Sequence, residues 1–81
     1  MDRLAGKTAL ITGAARGLGS QIARRFSEEG ALVFINDLSS DAAKKMATEL
    51  GGHALACDVS DSSAVHEMFE ELRAKTDHLD I

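Results

Sequence analysis

Thr12-Gly13-Ala14-Ala15-Arg16-Gly17-Leu18-Gly19 is the stretch that decides the fold of this chain. It follows an apolar run, Thr8-Ala9-Leu10-Ile11, and leads into an amphipathic pattern. A strand, a glycine-rich turn and a helix start, in that order, make a cradle for a diphosphate. Gly13 is expected to end the strand in a tight turn with positive φ, where a side chain is disfavoured. Gly17 lets the backbone approach phosphate oxygens where a Cβ would otherwise stand, and Gly19 lets the first helical turn pack closely on the strand. The phosphates then face unpaired N–H groups whose helix dipole favours negative charge. Three glycines can fall at such a spacing by chance, but the flanking strand and helix argue against it. The first gap is longer than in G-x-G-x-x-G, which gives a wider loop.

Outward from this turn the pattern alternates strand and helix. Lys7 to Thr12 reads as a buried strand. Leu18, Ile22 and Phe26 recur every four residues and mark a helix face, with Gly30 as its stop. Ala31 to Ile35 is continuously apolar and ends at Asn36-Asp37, as suits a strand covered on both faces. Ser39 or Ser40 can cap a second helix with Ala43, Met46 and Leu50 inward, stopped by Gly51 and Gly52. His53 to Cys57 forms a third strand closed by Asp58. Ser60 or Asp61 caps a third helix with Val65, Met68, Phe69 and Leu72 inward, and His78-Leu79-Asp80-Ile81 opens a fourth strand.

The order β-α-β-α-β-α-(β) is half of a doubly wound parallel α/β sheet, a Rossmann-type fold carried through about three strands and three helices. Right-handed crossovers place the strands in the order 3-2-1 and send the third helix to the opposite face. The fourth strand then belongs beside strand 1, at the switch point where ligands bind. With that strand only begun, strand 1 is expected to be an edge with unpaired N–H and C=O groups. Residues 1–81 are thus expected to be the amino-terminal part of one dinucleotide-binding domain, cut short as its fourth strand begins.

Composition narrows the function further. The chain has 81 residues, 44% hydrophobic and 27% charged, as in an ordinary soluble globular protein. A net charge of −4 gives no basic surface for nucleic acid or anionic membrane. No apolar run is long enough to span a bilayer, and no secretory leader is visible. The single Cys57 cannot form an internal disulfide, which suits a reducing, cytoplasmic setting, and it reads as a small buried hydrophobe. His53, His66 and His78 show no metal spacing and read as solvated or satisfied structural residues, so no metal is expected. Glu28-Glu29, Lys44-Lys45 and Glu70-Glu71 read as solvated outer faces.

Asp37 ends strand 2, eighteen residues past Gly19. A carboxylate there can accept hydrogen bonds from both hydroxyls of an adenosine ribose. It would repel a 2′-phosphate by roughly 4 kcal/mol at about 4 Å and an effective dielectric near 20. This favours NAD over NADP, although Arg16 could reach a 2′-phosphate. The plainer reading of Asp37 is a strand-end turn or helix-cap carboxylate. Asp58 can accept from an adenine amino group while Val59 packs on the ring, and it could equally serve as a turn former. The cofactor-binding candidates are Thr12, Gly13, Arg16, Gly17, Leu18, Gly19, Asp37, Leu38, Asp58 and Val59.

These residues resemble the amino-terminal portion of a short-chain dehydrogenase/reductase. The resemblance rests on the TGxxxGxG turn at Thr12–Gly19, the acidic strand end at Asp37, the Asp58-Val59 pair and the terminal His-Leu-Asp-Ile, and it covers essentially the whole chain. It implies a Rossmann fold, a nicotinamide dinucleotide and, in a complete member, hydride transfer between a secondary alcohol and a ketone. It also implies that the Asn-Ala-Gly segment, the catalytic Ser and the Tyr-x-x-x-Lys pair belong beyond Ile81. The chain contains no Tyr, so no catalytic residue is assigned within it and the 81 residues alone are expected to be inactive. A complete member is expected to be a homo-oligomer acting on a small alcohol or ketone. Two other classes compete. One is a non-catalytic nucleotide-binding or interaction module recruiting a partner by strand addition at the strand 1 edge. The other is an S-adenosylmethionine methyltransferase, whose glycines are arranged differently and whose ligand carries no diphosphate.

Overall fold

Glycine stops and side-chain caps divide the chain into alternating elements. In the computed structural model, which describes residues 3–81, these are β1 (Thr8–Ile11), α1 (Gly17–Glu28), β2 (Leu32–Asp37), α2 (Ser40–Leu50), β3 (His53–Ala56) and α3 (Ser62–Lys75). Met1 and Asp2, which the sequence assigns to the same domain, lie outside the described residues. Helix α1 closes with two backbone bonds, Ala31 N–H to the Phe26 carbonyl and Gly30 N–H to the Ser27 carbonyl. Helix α2 closes the same way, with Gly52 N–H on Ala47 and Gly51 N–H on Thr48. In both, the paired bonds satisfy carbonyls that the helix end leaves free. Ser39 caps α2 by accepting the Ala42 N–H, and Asp61 caps α3 by accepting those of Ser63 and Ala64. Each cap contributes about 1 kcal/mol.

The strands form one parallel sheet in the order β1-β2-β3, with Ala9 opposite Val33 and Ile35 opposite Ala54. Side chains alternate across β2, and each face has its own core. Val33 and Ile35 pack with Ala14, Ala23, Ala43, Met46 and Ala47 under α1 and α2. Phe34 packs with Leu55, Met68 and Leu72 under α3, on the opposite face as the crossover handedness requires.

Several expectations are corrected. Strand 1 is not an open edge: Asp80 and Ile81 N–H donate to the Thr8 carbonyl, Leu10 N–H donates to Ile81, and Thr8 N–H donates to the Asp80 carboxylate at 2.9 Å. The terminal segment thus lies beside β1 as expected, although it is not regular enough to count as a strand. The Thr8 N–H, aided by His78, holds the Asp80 carboxyl below the usual aspartate range. On α1, Ala23 is the buried residue, and Leu18 projects into solvent at 73% exposure. Repeats of four drift around a helix with 3.6 residues per turn, so the three large residues do not share one buried line. Phe69 of α3 is exposed rather than inward. Glu29, the C-cap residue of α1, is buried rather than solvated. There one oxygen pairs with Arg25 at 3.0 Å, while Oε1 has no hydrogen-bond partner among the described residues.

Candidate functional site

The site lies at the carboxyl ends of the three strands, where three loops meet. The first is the glycine turn. Gly13 and Gly17 adopt φ of +60° and +62°, the left-handed region that side chains rarely adopt, and a Cβ on either would meet only open space. Gly19 differs: its Cβ would fall 2.5 Å from the Gly13 carbonyl oxygen, backbone that cannot move aside. Gly19 therefore sets how closely α1 packs on the turn, while Gly17 leaves a clear approach from outside. Arg16 holds the N-cap position of α1 in extended backbone and makes no side-chain capping bond. Among the described residues no side chain caps the start of α1, so its first amides are left for solvent or a bound anion.

The second loop leaves β2 at Asp37. The residue is 8% exposed, and its carboxylate accepts Ser39 N–H at 3.1 Å on Oδ1 and Ala15 N–H at 3.2 Å on Oδ2. The Ser39 N–H holds the carboxyl below its usual range, against the effect of burial, and the Ala15 N–H and the Arg16 charge act in the same direction. Asp37 is thus ionised at neutral pH. A carboxylate offers about four acceptor directions, so its protein bonds leave capacity for a ligand. The turn-forming reading of Asp37 is realised through Ser39 without exhausting the group.

The third loop leaves β3 at Cys57. Asp58 Oδ1 accepts both the Ser60 hydroxyl at 2.7 Å and the Ser60 N–H at 2.9 Å, which lowers its pKa in that order of importance. The turn-forming role of Asp58 is therefore present, carried by Oδ1. A cleft of about 250 Å³ joins the loops, lined by Gly13, Asn36, Asp37, Leu38, Cys57, Asp58 and Val59. Leu38 and Val59 stand at its rim, 74% and 53% exposed. Large apolar side chains so exposed beside a cleft offer flat contact area to a ring. The structure therefore brings Gly13, Asp37, Leu38, Asp58 and Val59 to one cleft. Arg16 is close enough to Asp37 to act on its ionisation, and Thr12, Gly17, Leu18 and Gly19 lie on the turn and the helix start beside it.

Asn36 was not singled out in the sequence and proves central. Its buried side-chain amide donates to the Leu55 and Cys57 carbonyls at 2.9 and 3.2 Å, while the Asn36 backbone carbonyl accepts Ala14 N–H at 2.9 Å. It fixes the β3 exit on one side and the glycine turn on the other. Its only sequence signal was a polar residue in an otherwise apolar strand. Among the described residues no group of three or more His, Cys, Asp or Glu side chains could hold a metal. His78 is paired with Asp80 at 2.7 Å, and His53 packs beside Phe34. Among the described residues no helix is long and apolar enough to cross a membrane.

Comparison with known proteins shows which family shares this fold and sequence. The short chain dehydrogenase family model matches residues 7–81. The D-threitol dehydrogenase of Mycolicibacterium smegmatis is 38% identical over 84 residues, covering 98% of this chain and 32% of that enzyme. The 3-ketoacyl-(acyl-carrier-protein) reductase of Brucella melitensis complexed with NADH superposes with a TM-score of 0.91 at 39% identity, over 95% of this chain and 33% of the other. The RhlG/NADP active-site complex of Pseudomonas aeruginosa superposes with a TM-score of 0.89 at 36% identity, over 95% of this chain and 33% of that one. The chain spans about a third of the length of these relatives. Both nicotinamide cofactors thus occur among its structural neighbours. With a Rossmann-type fold and a family match along almost all its length, the chain belongs to the short chain dehydrogenases, a family of oxidoreductases.

Proposed function

We propose that residues 1–81 form the NAD-binding part of an oxidoreductase that interconverts a secondary alcohol and a ketone. Gly13 and the amides of Gly17, Leu18 and Gly19 would hold the diphosphate, with Thr12 and Arg16 at the margins of the turn. Asp37 would accept the adenosine ribose hydroxyls. Leu38 and Val59 would flank the adenine, and Asp58 would accept from its amino group. The cofactor, when bound, supplies a hydride acceptor or donor at its nicotinamide ring. The part of this chain is to bind and orient it.

One observation carries the preference for NAD: Asp37, ionised at neutral pH, lies in the cleft beside the glycine turn. A 2′-phosphate placed there meets a like charge in a partly desolvated site, a cost of a few kcal/mol that Arg16 offsets only in part. Titration calorimetry is expected to give at least about tenfold tighter binding of NAD than of NADP, equivalent to about 1.4 kcal/mol. Equal affinities, or tighter NADP, would contradict the assignment. Because its pKa is lowered, Asp37 stays ionised through neutral pH, and the preference is lost only as pH falls through a value below the ordinary 3.8.

A further inference from the structure

Asp37 touches the glycine turn itself as well as the space beside it. Its Oδ2 accepts the Ala15 N–H at 3.2 Å across a sequence gap of 22 residues, and the preceding Asn36 carbonyl accepts the Ala14 N–H at 2.9 Å. Two consecutive amides of the turn are therefore anchored on two consecutive residues of β2. Strand β2 is the middle strand, buried along nearly its whole length, so the anchor is rigid. Ala14 also packs in the core with Val33 and Ile35, so the turn has one apolar anchor, and beyond it these bonds are its polar ties to the strand. Gly13 and Gly17 place no side chain against the protein, and Arg16 makes no side-chain capping bond. Among the described residues, the bonds from Ala14 and Ala15 are the hydrogen bonds that tie residues 13–16 to β2.

We infer that Asp37 is a positioning residue for the phosphate-binding turn, holding Ala15 so that the Gly17–Gly19 amides are presented together, in addition to any contact it makes with a ribose. This rests on the proposed diphosphate site and gives that site a second requirement. The two roles of Asp37 make opposite predictions for a ligand that has phosphates and no sugar. If Asp37 acts only on ribose, removing its negative charge relieves repulsion and pyrophosphate binds more tightly. If Asp37 braces the turn, removing the carboxylate loosens the amides and pyrophosphate binds more weakly, despite the favourable change in charge. Asparagine is a suitable replacement because it has one acceptor oxygen, whereas Ala15 and Ser39 present two N–H donors, and its amide would face one of them with another donor.

The experiment is a titration of the protein with inorganic pyrophosphate at neutral pH, read from the amide resonances of Ala15 to Gly19. The Asp37→Asn variant is expected to bind about three- to tenfold more weakly than the wild type, the size of one hydrogen bond of ordinary net strength. A second form keeps the carboxylate and deletes only the donor, by replacing the amide N–H of Ala15 with a backbone ester. It is expected to lose affinity in the same direction, and it decides the question should Asp37→Asn fail to fold. If either folded form binds pyrophosphate as tightly as the wild type or more so, the bracing role is overturned while the phosphate site stands. If the wild type shows no response at Ala15–Gly19, the phosphate site itself falls, and the brace with it.

Discussion

Gly19→Ala is expected to weaken dinucleotide binding by about tenfold to a hundredfold and to lower the unfolding temperature at the same time. The new Cβ would lie 2.5 Å from the Gly13 carbonyl oxygen and 3.1 Å from the Ala14 Cα. Both neighbours are backbone, so relief requires the turn and the start of α1 to separate. Overpacking of this kind costs about 1–3 kcal/mol. The displaced groups include the amides proposed to hold the phosphates, so the same movement is felt in affinity, where 1.4 kcal/mol is about tenfold. Gly17→Ala provides the contrast. Its Cβ meets no protein atom, although the +62° φ strains it by about 1–2 kcal/mol. Its excess loss should therefore appear in binding, because the open side of Gly17 is the side a phosphate would use. Calorimetry with NAD and thermal unfolding of both variants separate these effects. A Gly19→Ala protein that melts and binds like the wild type would show that the close approach of α1 to the turn is not needed.

Gly52→Ala is expected to produce the largest loss of stability, about 3 kcal/mol, with no direct contact to the site. The added Cβ would fall 2.2 Å from the Val33 carbonyl oxygen and 2.9 Å from its Cγ2. Val33 is fully buried in the central strand, paired with Ala9 of β1, so it cannot give way. The entry to β3 must move instead, and with it the pairing of His53 with Phe34. For a domain of 60–100 residues each kcal/mol shifts the midpoint by about 4–8 °C. A drop of more than about 10 °C is therefore expected by circular dichroism. A change within about 3 °C would mean that β3 can enter the sheet by another path.

The two glycines at 51 and 52 illustrate what the sequence discloses and what it withholds. Both are legible as the stop of α2, and both do donate the closing backbone bonds. Only the fold reveals that Gly52 also lies against Val33, a neighbour nineteen residues earlier in the chain. The same division holds elsewhere. Local signals placed the six elements, because strand runs, caps and glycine stops are encoded by adjacent residues. Handedness then placed α3 on the far face, since a parallel crossover has one favoured hand. The cleft was legible where a carboxylate ends or closely follows a strand, as with Asp37 and Asp58. It was illegible where the role is a bond across the sheet. Asn36 reads as one polar residue in an apolar strand, yet it ties β2 to the carbonyls of Leu55 and Cys57. Likewise, a charge pair such as Glu28-Glu29 looks uniformly solvated until the end of α1 turns one member inward.

The most direct test is a structure of the protein with NAD, determined by crystallography or from intermolecular nuclear Overhauser contacts. The expected result is a diphosphate within hydrogen-bond distance of the Gly17–Gly19 amides and both adenosine ribose hydroxyls on the Asp37 carboxylate. A dinucleotide bound away from that turn, or with its ribose hydroxyls turned away from Asp37, would contradict it.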